Sequence, residues 1–151
     1  MITAPLTPDQ TARQAWMGLL ARAKPQLLAS LFPDLPDHTM LRAPEVGSVM
    51  IRGRAGATGA PFNLGEMTVT RCVLQLPSGE VGHANVAGRD KAHATRAAVV
   101  DALMQTADGP KICAVVLDVL ESDEAHHKQT RAAKAAATKV DFFTLVRGED
   151  Q

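Results

Sequence analysis

The spacing of apolar residues changes at Gly88, and this change restricts the folds that the chain can adopt. Before Gly88, three alternating segments predict strands at about 46–54, 64–76 and 80–87. Pro77-Ser78-Gly79 predicts a turn, so the last two strands form a hairpin. After Gly88, helical spacing predicts a helix from Lys91 to about Ala107, with Asp90 as its N-cap. Strands and helices in separate runs favour an α+β fold with an antiparallel sheet.

Helices are also predicted near both ends of the chain. Thr7, Pro8 and Gln10 form the pattern of a capped helix start, and Pro25 divides the helical stretch that follows into a long and a short helix. The alanine-rich segment 122–139 predicts a helix capped by Ser122, and 140–147 predicts a final strand. Segment 112–120 fits either a strand or a helix.

These elements predict an α+β fold in which an antiparallel sheet of three to five strands packs with N-terminal, middle and C-terminal helices. We expect a single domain over residues 1–151, because a chain of this length supports one apolar core. A core made largely of Val, Leu, Ala and Met is expected, since only 3% of the residues are aromatic.

The charge balance argues against a dedicated nucleic-acid-binding protein. Sixteen basic and sixteen acidic side chains cancel, whereas such proteins need a net positive surface. The helix pair before residue 33 has helix-turn-helix spacing, but its second helix carries no cation inside it to read a groove. We expect a cytoplasmic protein, because residues 1–10 lack a signal-peptide pattern and the longest apolar run, 112–117, is too short to cross a bilayer. Cys72 and Cys113 are isolated and are expected to be reduced.

Cations crowd the start of the helix at Lys91. Arg89, Lys91 and His93 lie where the helix dipole already places partial positive charge, so the junction either accepts a small local destabilisation or receives an anion such as phosphate. Arg71 lies on an apolar face of the long strand and therefore needs a carboxylate, carbonyl oxygens or an anionic ligand. A structural ion pair with Glu45, Glu66 or Asp90 and a contact to a ligand or partner are the two alternatives.

Arg54 adjoins a glycine-rich segment, 53–59, and extends this set of cations. If the first two strands pair, Arg54 and Arg71 approach a common space, with Arg89 and Lys91 beside them. Four cations around a glycine loop would suit a polyphosphate. The chain has no Walker motif, however, and salt bridges to partner subunits explain the same cations without any substrate contact.

No complete catalytic set is visible in the sequence. His93 is either a structural histidine or a neutral acceptor or metal ligand. His126 and His127 point about 100° apart on a helix, which is unsuitable for one shared metal, so no metal site is predicted. Phe142 and Phe143 point to opposite faces of the final strand, so one of them needs cover from elsewhere; Asp141 and Arg147 flank them.

Five blocks of the chain resemble a known family. They are Gly88-Arg89-Asp90-Lys91-x-His93-Ala94; Arg54-x-Gly56-x-Thr58-Gly59-x-x-Phe62-x-x-Gly65-Glu66-x-Thr68-x-Thr70-Arg71; Asp101-Ala102-Leu103-Met104-Gln105; Val140-Asp141-Phe142-Phe143-Thr144-x-Val146-Arg147-Gly148; and Thr11-Ala12-Arg13-Gln14-x-Trp16-Met17. In this order and extent the blocks are similar to the G subunit family of the bacterial carbon–phosphorus lyase core complex.

The resemblance implies a subunit of a transferase that acts in phosphonate catabolism. Members of this family work with the H, I and L subunits to attach a phosphonate to C1 of the ribose of ATP, with release of adenine, and they form a permanent core with the H, I and J subunits. The chain then has no cofactor of its own, ATP is a co-substrate of the complex, and the isolated chain is expected to be inactive. A free-standing nucleotide-binding protein is a further alternative, which would require ATP binding by the isolated chain.

The catalytic residues stay unassigned from the sequence. The candidates for ligand or interface contacts are Arg54, Arg71, Arg89, Asp90, Lys91, His93, Asp141 and Phe143. The alternative is an assembly subunit of the same complex that touches no substrate.

Overall fold

The structure is a computed structural model of the 151-residue chain, and it describes residues 5–139. The helices and strands in chain order are α1 Pro8–Arg22, α2 Pro25–Leu31, β1 Thr39–Arg54, β2 Pro61–Gln75, β3 Val81–Ala87, α3 Lys91–Leu103, α4 Gly109–Ile112 and α5 Asp118–Ala137. The strand predicted at 140–147, with Asp141 and Phe143, lies outside the described residues. The predicted α+β fold is confirmed.

The helix start at Thr7 forms the predicted capping box. The Thr7 hydroxyl accepts from the Gln10 backbone N–H at 3.3 Å, and the Gln10 side-chain oxygen accepts from the Thr7 N–H at 3.0 Å. Pro25 occupies the first turn of α2, as predicted, because a proline there removes no helical hydrogen bond.

The three strands form one antiparallel sheet in the order β1-β2-β3. The predicted hairpin between β2 and β3 is confirmed, with Gly79 at φ 107° in its turn. The first strand begins at Thr39, earlier than the predicted 46. Pro44 breaks the alternation in this part of the sequence, and shifts in the pairing register between Met40 and Glu45 accommodate it.

The apolar core lies between one face of the sheet and the helices. Cys72, Leu74 and Val86 of the sheet pack against small side chains of α3, including Ala97 and Ala98. The approach is close at Gly82, where a Cβ atom would lie 1.9 Å from the Ala98 carbonyl oxygen. Glycine at this position therefore lets α3 lie on the hairpin.

Residues 109–137 are helical, which decides one open alternative and corrects one prediction. The ambiguous segment 112–120 runs from α4 through a π-helical turn, Cys113–Leu117, into α5. Val116 and Leu120 are buried in the core, so packing overrides the β-branched composition. Ser122 is not an N-cap as predicted, because the helix begins upstream and Ser122 lies inside α5.

The strands differ strongly in length. β1 has 16 residues and β2 has 15, whereas β3 has 7 and pairs only with Val69–Gln75 of β2. Residues 46–54 and 61–68 therefore extend beyond β3 as a two-stranded ribbon, which we name the β1–β2 arm. None of the helices within residues 5–139 is long and apolar enough to span a membrane.

Candidate functional site

The cation-rich junction before α3 is held in place by β2. Gly88, at φ 92°, donates its N–H to the Thr68 carbonyl at 3.0 Å, and its carbonyl accepts from the buried Thr70 hydroxyl at 2.8 Å. Asp90 is the predicted N-cap, since its carboxylate accepts from the His93 backbone N–H at 2.9 Å. Arg89 and Lys91 are exposed beside it and form no ion pair within residues 5–139.

His93 has a structural environment. Its side chain is buried, and Nε2 lies 3.1 Å from the Leu20 carbonyl, which assigns the ring proton to Nε2. Burial lowers the pKa of His93, so the ring is neutral and ties α1 to α3. Nδ1 is buried without a partner, and the described part of the chain holds no cluster of metal-ligating side chains around it or elsewhere.

Arg71 does not form the predicted ion pair. Its guanidinium crosses over Gly47, and Nη2 donates to the Ser48 carbonyl at 3.1 Å. Glu45 is directly opposite in the β1–β2 register, but its carboxylate pairs with Arg42, three residues away on the same strand. A backbone carbonyl therefore takes the place of the expected carboxylate.

The four candidate cations are not gathered around the glycine-rich loop. Arg54 closes this loop by donating to the Gly59 carbonyl at 3.2 Å, at the tip of the β1–β2 arm. It pairs with Pro61, and β2 from Pro61 to Arg71 spans roughly 30 Å at about 3.3 Å per residue. Arg89 and Lys91 lie at the base of the arm, beyond Thr68. The structure thus places Arg54 at the tip of the arm, Arg71 on a face of the sheet, and Arg89 and Lys91 at the base of the arm.

A buried polar network, absent from the sequence-based candidates, lies at the outer edge of β3. Asp101 is fully buried, and its carboxylate accepts four hydrogen bonds. Arg13 donates through Nη2 at 2.7 Å and Nε at 3.2 Å, Trp16 donates its indole N–H at 2.8 Å, and His83 donates its backbone N–H at 2.8 Å. This network locks α1, β3 and α3 together. The only sequence signal for it was that Arg13, Trp16 and Asp101 fall within the family-like blocks.

The same side chains cap part of the free edge of β3. Arg13 Nη2 and the Gln105 amide both donate to the Val81 carbonyl, at 3.1 and 2.9 Å, and Asp101 takes the outward N–H of His83. The backbone groups that an added strand would use are therefore already occupied in this half of β3.

A cleft of about 500 Å³ lies between α1 and β3. Leu6, Met17 and Val86 form part of its apolar lining, and Gln14 and Asn85 supply polar groups. Arg13 is the one lysine or arginine in its lining, and it already forms an ion pair with Asp101. The cleft is therefore poorly suited to binding a polyphosphate.

The two cysteines fit the sequence interpretation of unbridged thiols. Cys72 is buried, Cys113 is half-buried, and both are free. Burial raises the pKa of each thiol, which keeps both protonated and unreactive at neutral pH.

Surface ion pairs connect α5 with the end of α1. Arg22 donates to Glu124 at 2.7 Å, and Lys128 pairs with the same carboxylate at 3.2 Å. These two cations lower the pKa of Glu124 to about 2. Glu124 therefore stays ionised across the physiological pH range, where it pairs with Arg22 and Lys128 rather than acting as a general acid.

The described residues form a small α+β protein whose buried polar groups are mostly satisfied within the fold and whose β1–β2 arm exposes apolar side chains.

Comparison with known proteins gives the family. The family model described as "Phosphonate metabolism protein PhnG" matches residues 11–148, and the chain belongs to this family. The chain is also similar to "Alpha-D-ribose 1-methylphosphonate 5-triphosphate synthase subunit PhnG" of Rhizobium meliloti (strain 1021). The two are 42% identical over 156 aligned residues, which cover 99% of this chain and 100% of that relative. The resemblance noted in the five sequence blocks is thereby confirmed.

Proposed function

We propose that this chain is a subunit of α-D-ribose 1-methylphosphonate 5-triphosphate synthase in phosphonate catabolism. The observation that carries the proposal is 42% identity along nearly the whole chain to a relative that bears this name. In this proposal the chain acts with H, I and L subunits to transfer a phosphonate to ribose C1 of ATP, releasing adenine, and forms a core with H, I and J subunits. ATP is a co-substrate of the complex, and we therefore place the complex in the cytoplasm. The chain carries no cofactor of its own.

The chain's role in this complex is to support a site that other subunits complete. Asp101 and Arg13 satisfy each other, and His93 is neutral and bonded to the Leu20 carbonyl. These are the strongest polar groups in the described core, and none of them is left available to attack a substrate. We therefore assign the reacting groups to the partners.

Arg89 and Lys91 are the residues that we propose as contacts to substrate or to a partner. They are exposed and lack an ion pair in the described region, and Asp90 fixes their backbone as the cap of α3. Arg54 and Arg71 already bond to carbonyls, which makes them weaker candidates for a phosphate. Asp141 and Phe143 stay candidates for the interface from the sequence.

A purely structural role within the same complex is the second candidate. The observation that favours it is the separation of the four cations along the β1–β2 arm, because one phosphate group contacts cations only within a few ångströms. Under this alternative the cations form salt bridges with partner subunits.

Reconstitution separates these functions. ATP and methylphosphonate are incubated with the H, I and L partners, with and without this chain, and adenine release is followed. We expect phosphonate-dependent release only when the chain is present. An equal rate from a correctly assembled mixture without the chain would refute the synthase role.

The Arg89→Ala variant then distinguishes substrate support from assembly, with the exposed Arg131→Ala variant on α5 as a matched control. Loss of adenine release from an intact complex indicates action on substrate or on site geometry. Loss of the complex itself indicates an interface contact.

A further inference from the structure

The β1–β2 arm exposes a large apolar surface. Six large apolar side chains of the arm are between 37% and 65% exposed: Val46, Met50, Ile51, Phe62, Leu64 and Met67. The register places Val46 and Met50 on one face of the arm and Ile51 and Met67 on the other, so the roughly 500 Å² that the six side chains expose is divided between two faces. Because an isolated two-stranded ribbon is only marginally stable in water, this surface is suited to being covered.

The arm also has an open backbone edge on the β3 side of β2. The Gly88 N–H bonds to the Thr68 carbonyl, which is the last contact on that side. Since alternate residues of a strand bond to alternate neighbours, the backbone N–H and C=O groups of Glu66 point to the same open side. Leu64 lies at the register shift, where this alternation is interrupted. Gly65 and Met67 instead pair with Ile51 and Val49 of β1.

This edge lacks the features that usually protect an edge strand. The outer edge of β1 is interrupted by Pro44 and by register shifts, and the edge of β3 is capped by Arg13, Asp101 and Gln105. Between Gly65 and Thr68 the edge of β2 has no proline, and the register shift opposite Ile51 and Arg52 lies just outside this stretch, at Leu64. A strand added there would continue the line of β3.

Charge at the two ends of this edge restricts what can bind. Arg52 and Arg54 lie at the tip, Arg89 and Lys91 lie at the base, and Glu66 is the one acidic side chain between them on β2. A second copy bound about a two-fold axis would run antiparallel and place its tip arginines beside the basal cations, which is repulsive. A strand with carboxylates near both of its ends is complementary.

We propose that residues 65–68 of β2 bind a β-strand from a different subunit of the synthase, with apolar residues in alternation and acidic residues at its ends. The inference deepens the proposed function and rests on it. The added strand would bond to the backbone of Glu66 and contact apolar side chains of the arm.

Hydrogen exchange at single-residue resolution tests this pairing. The full chain alone is compared with the chain in its complex with the H, I, J and L subunits. We expect the amide of Glu66 to exchange at least ~100-fold more slowly in the complex, and those of Gly65 and Met67 to be protected in both. Unchanged exchange at Glu66 in the assembled complex would overturn the proposal, as would equal protection in a dimer of the chain alone.

Glu66→Pro supplies an independent test, because it removes one outward N–H without breaking a bond to β1. Glu66→Ala is the matched control, since it removes the same side chain but keeps the N–H. We expect at least ~10-fold weaker recovery of the complex with Glu66→Pro only. Equal recovery of the two variants would refute strand addition, while failure of the unaltered chain to join the complex would refute the proposed function. The fluorescence of Trp16 checks that both variants fold. If Glu66→Pro does not fold, the exchange experiment still tests the proposal.

Discussion

Replacing Asp101 by alanine should be among the most damaging single substitutions in this protein. The carboxylate is fully buried and accepts four hydrogen bonds, from Arg13, Trp16 and the His83 backbone. Removing it leaves a guanidinium and two N–H donors without their acceptor. Breaking a buried pair typically costs 3–5 kcal/mol, and the Arg13 side chain is 31% exposed, so water compensates part of the loss. We expect a decrease of about 3 kcal/mol in the free energy of unfolding.

Urea unfolding followed by the fluorescence of Trp16, the single tryptophan, measures this decrease. For a chain of this size the expected loss lowers the melting temperature by roughly 6–12 °C. Glu124→Ala is the control, because it removes two ion pairs at the surface, with Arg22 and Lys128, where such pairs contribute little. If the unfolding free energies of Asp101→Ala and Glu124→Ala lie within ~1 kcal/mol of each other, the network does not hold the fold as argued.

Two further predictions concern close packing and pH. Gly82→Ala should destabilise the protein by more than ~2 kcal/mol, because the new Cβ would lie 1.9 Å from the Ala98 carbonyl oxygen. Gly65→Ala is the control and should change the stability little, because a Cβ there has nothing within 4 Å. Similar melting temperatures for the two variants would contradict this prediction. Burial lowers the pKa of His93 below its ordinary value of 6.5, so the unfolded state binds the proton more readily than the folded state. Stability should therefore be complete above pH 6.5 and fall as the pH decreases through the range below it. His93→Gln should weaken this pH dependence of chemical unfolding and the exposed His126→Gln should not; unchanged slopes in both would refute the assignment.

Local signals in the sequence predicted local structure well. The Thr7 capping box, the Asp90 cap and the Pro77-Ser78-Gly79 turn each depend on residues within a few positions of one another, and all are present. The long β2 strand was also predictable from its alternation, because one of its faces is buried by helices.

The features that sequence reasoning missed depend on distant residues. Arg13 and Asp101 are 88 positions apart, and nothing in their neighbourhoods indicates that α1 and α3 meet at the edge of β3. An ion pair of Arg71 with Glu45 was one of the alternatives from the sequence, but Glu45 pairs with Arg42, which depends on side-chain reach rather than on register. The π-helical turn at Cys113–Leu117 follows from core packing of Val116 and Leu117, which outweighs their β-branched and apolar composition.

The family-like blocks divide into two groups once they are placed on the fold. The blocks at 11–17 and 101–105 supply the Asp101 network, which is buried or half-buried and satisfied within the chain. The blocks at 54–71 and 88–94 form the arm and its base, where Leu64 is 65% exposed and Arg89 and Lys91 are without ion pairs in the described region. Residues of the first group mainly explain how the chain folds, because the Asp101 carboxylate takes its four hydrogen bonds from within the chain, although Gln14 stays exposed beside the cleft. Contacts that the chain makes in the synthase are therefore to be sought along the second group, where apolar surface, free backbone groups and unpaired cations lie together.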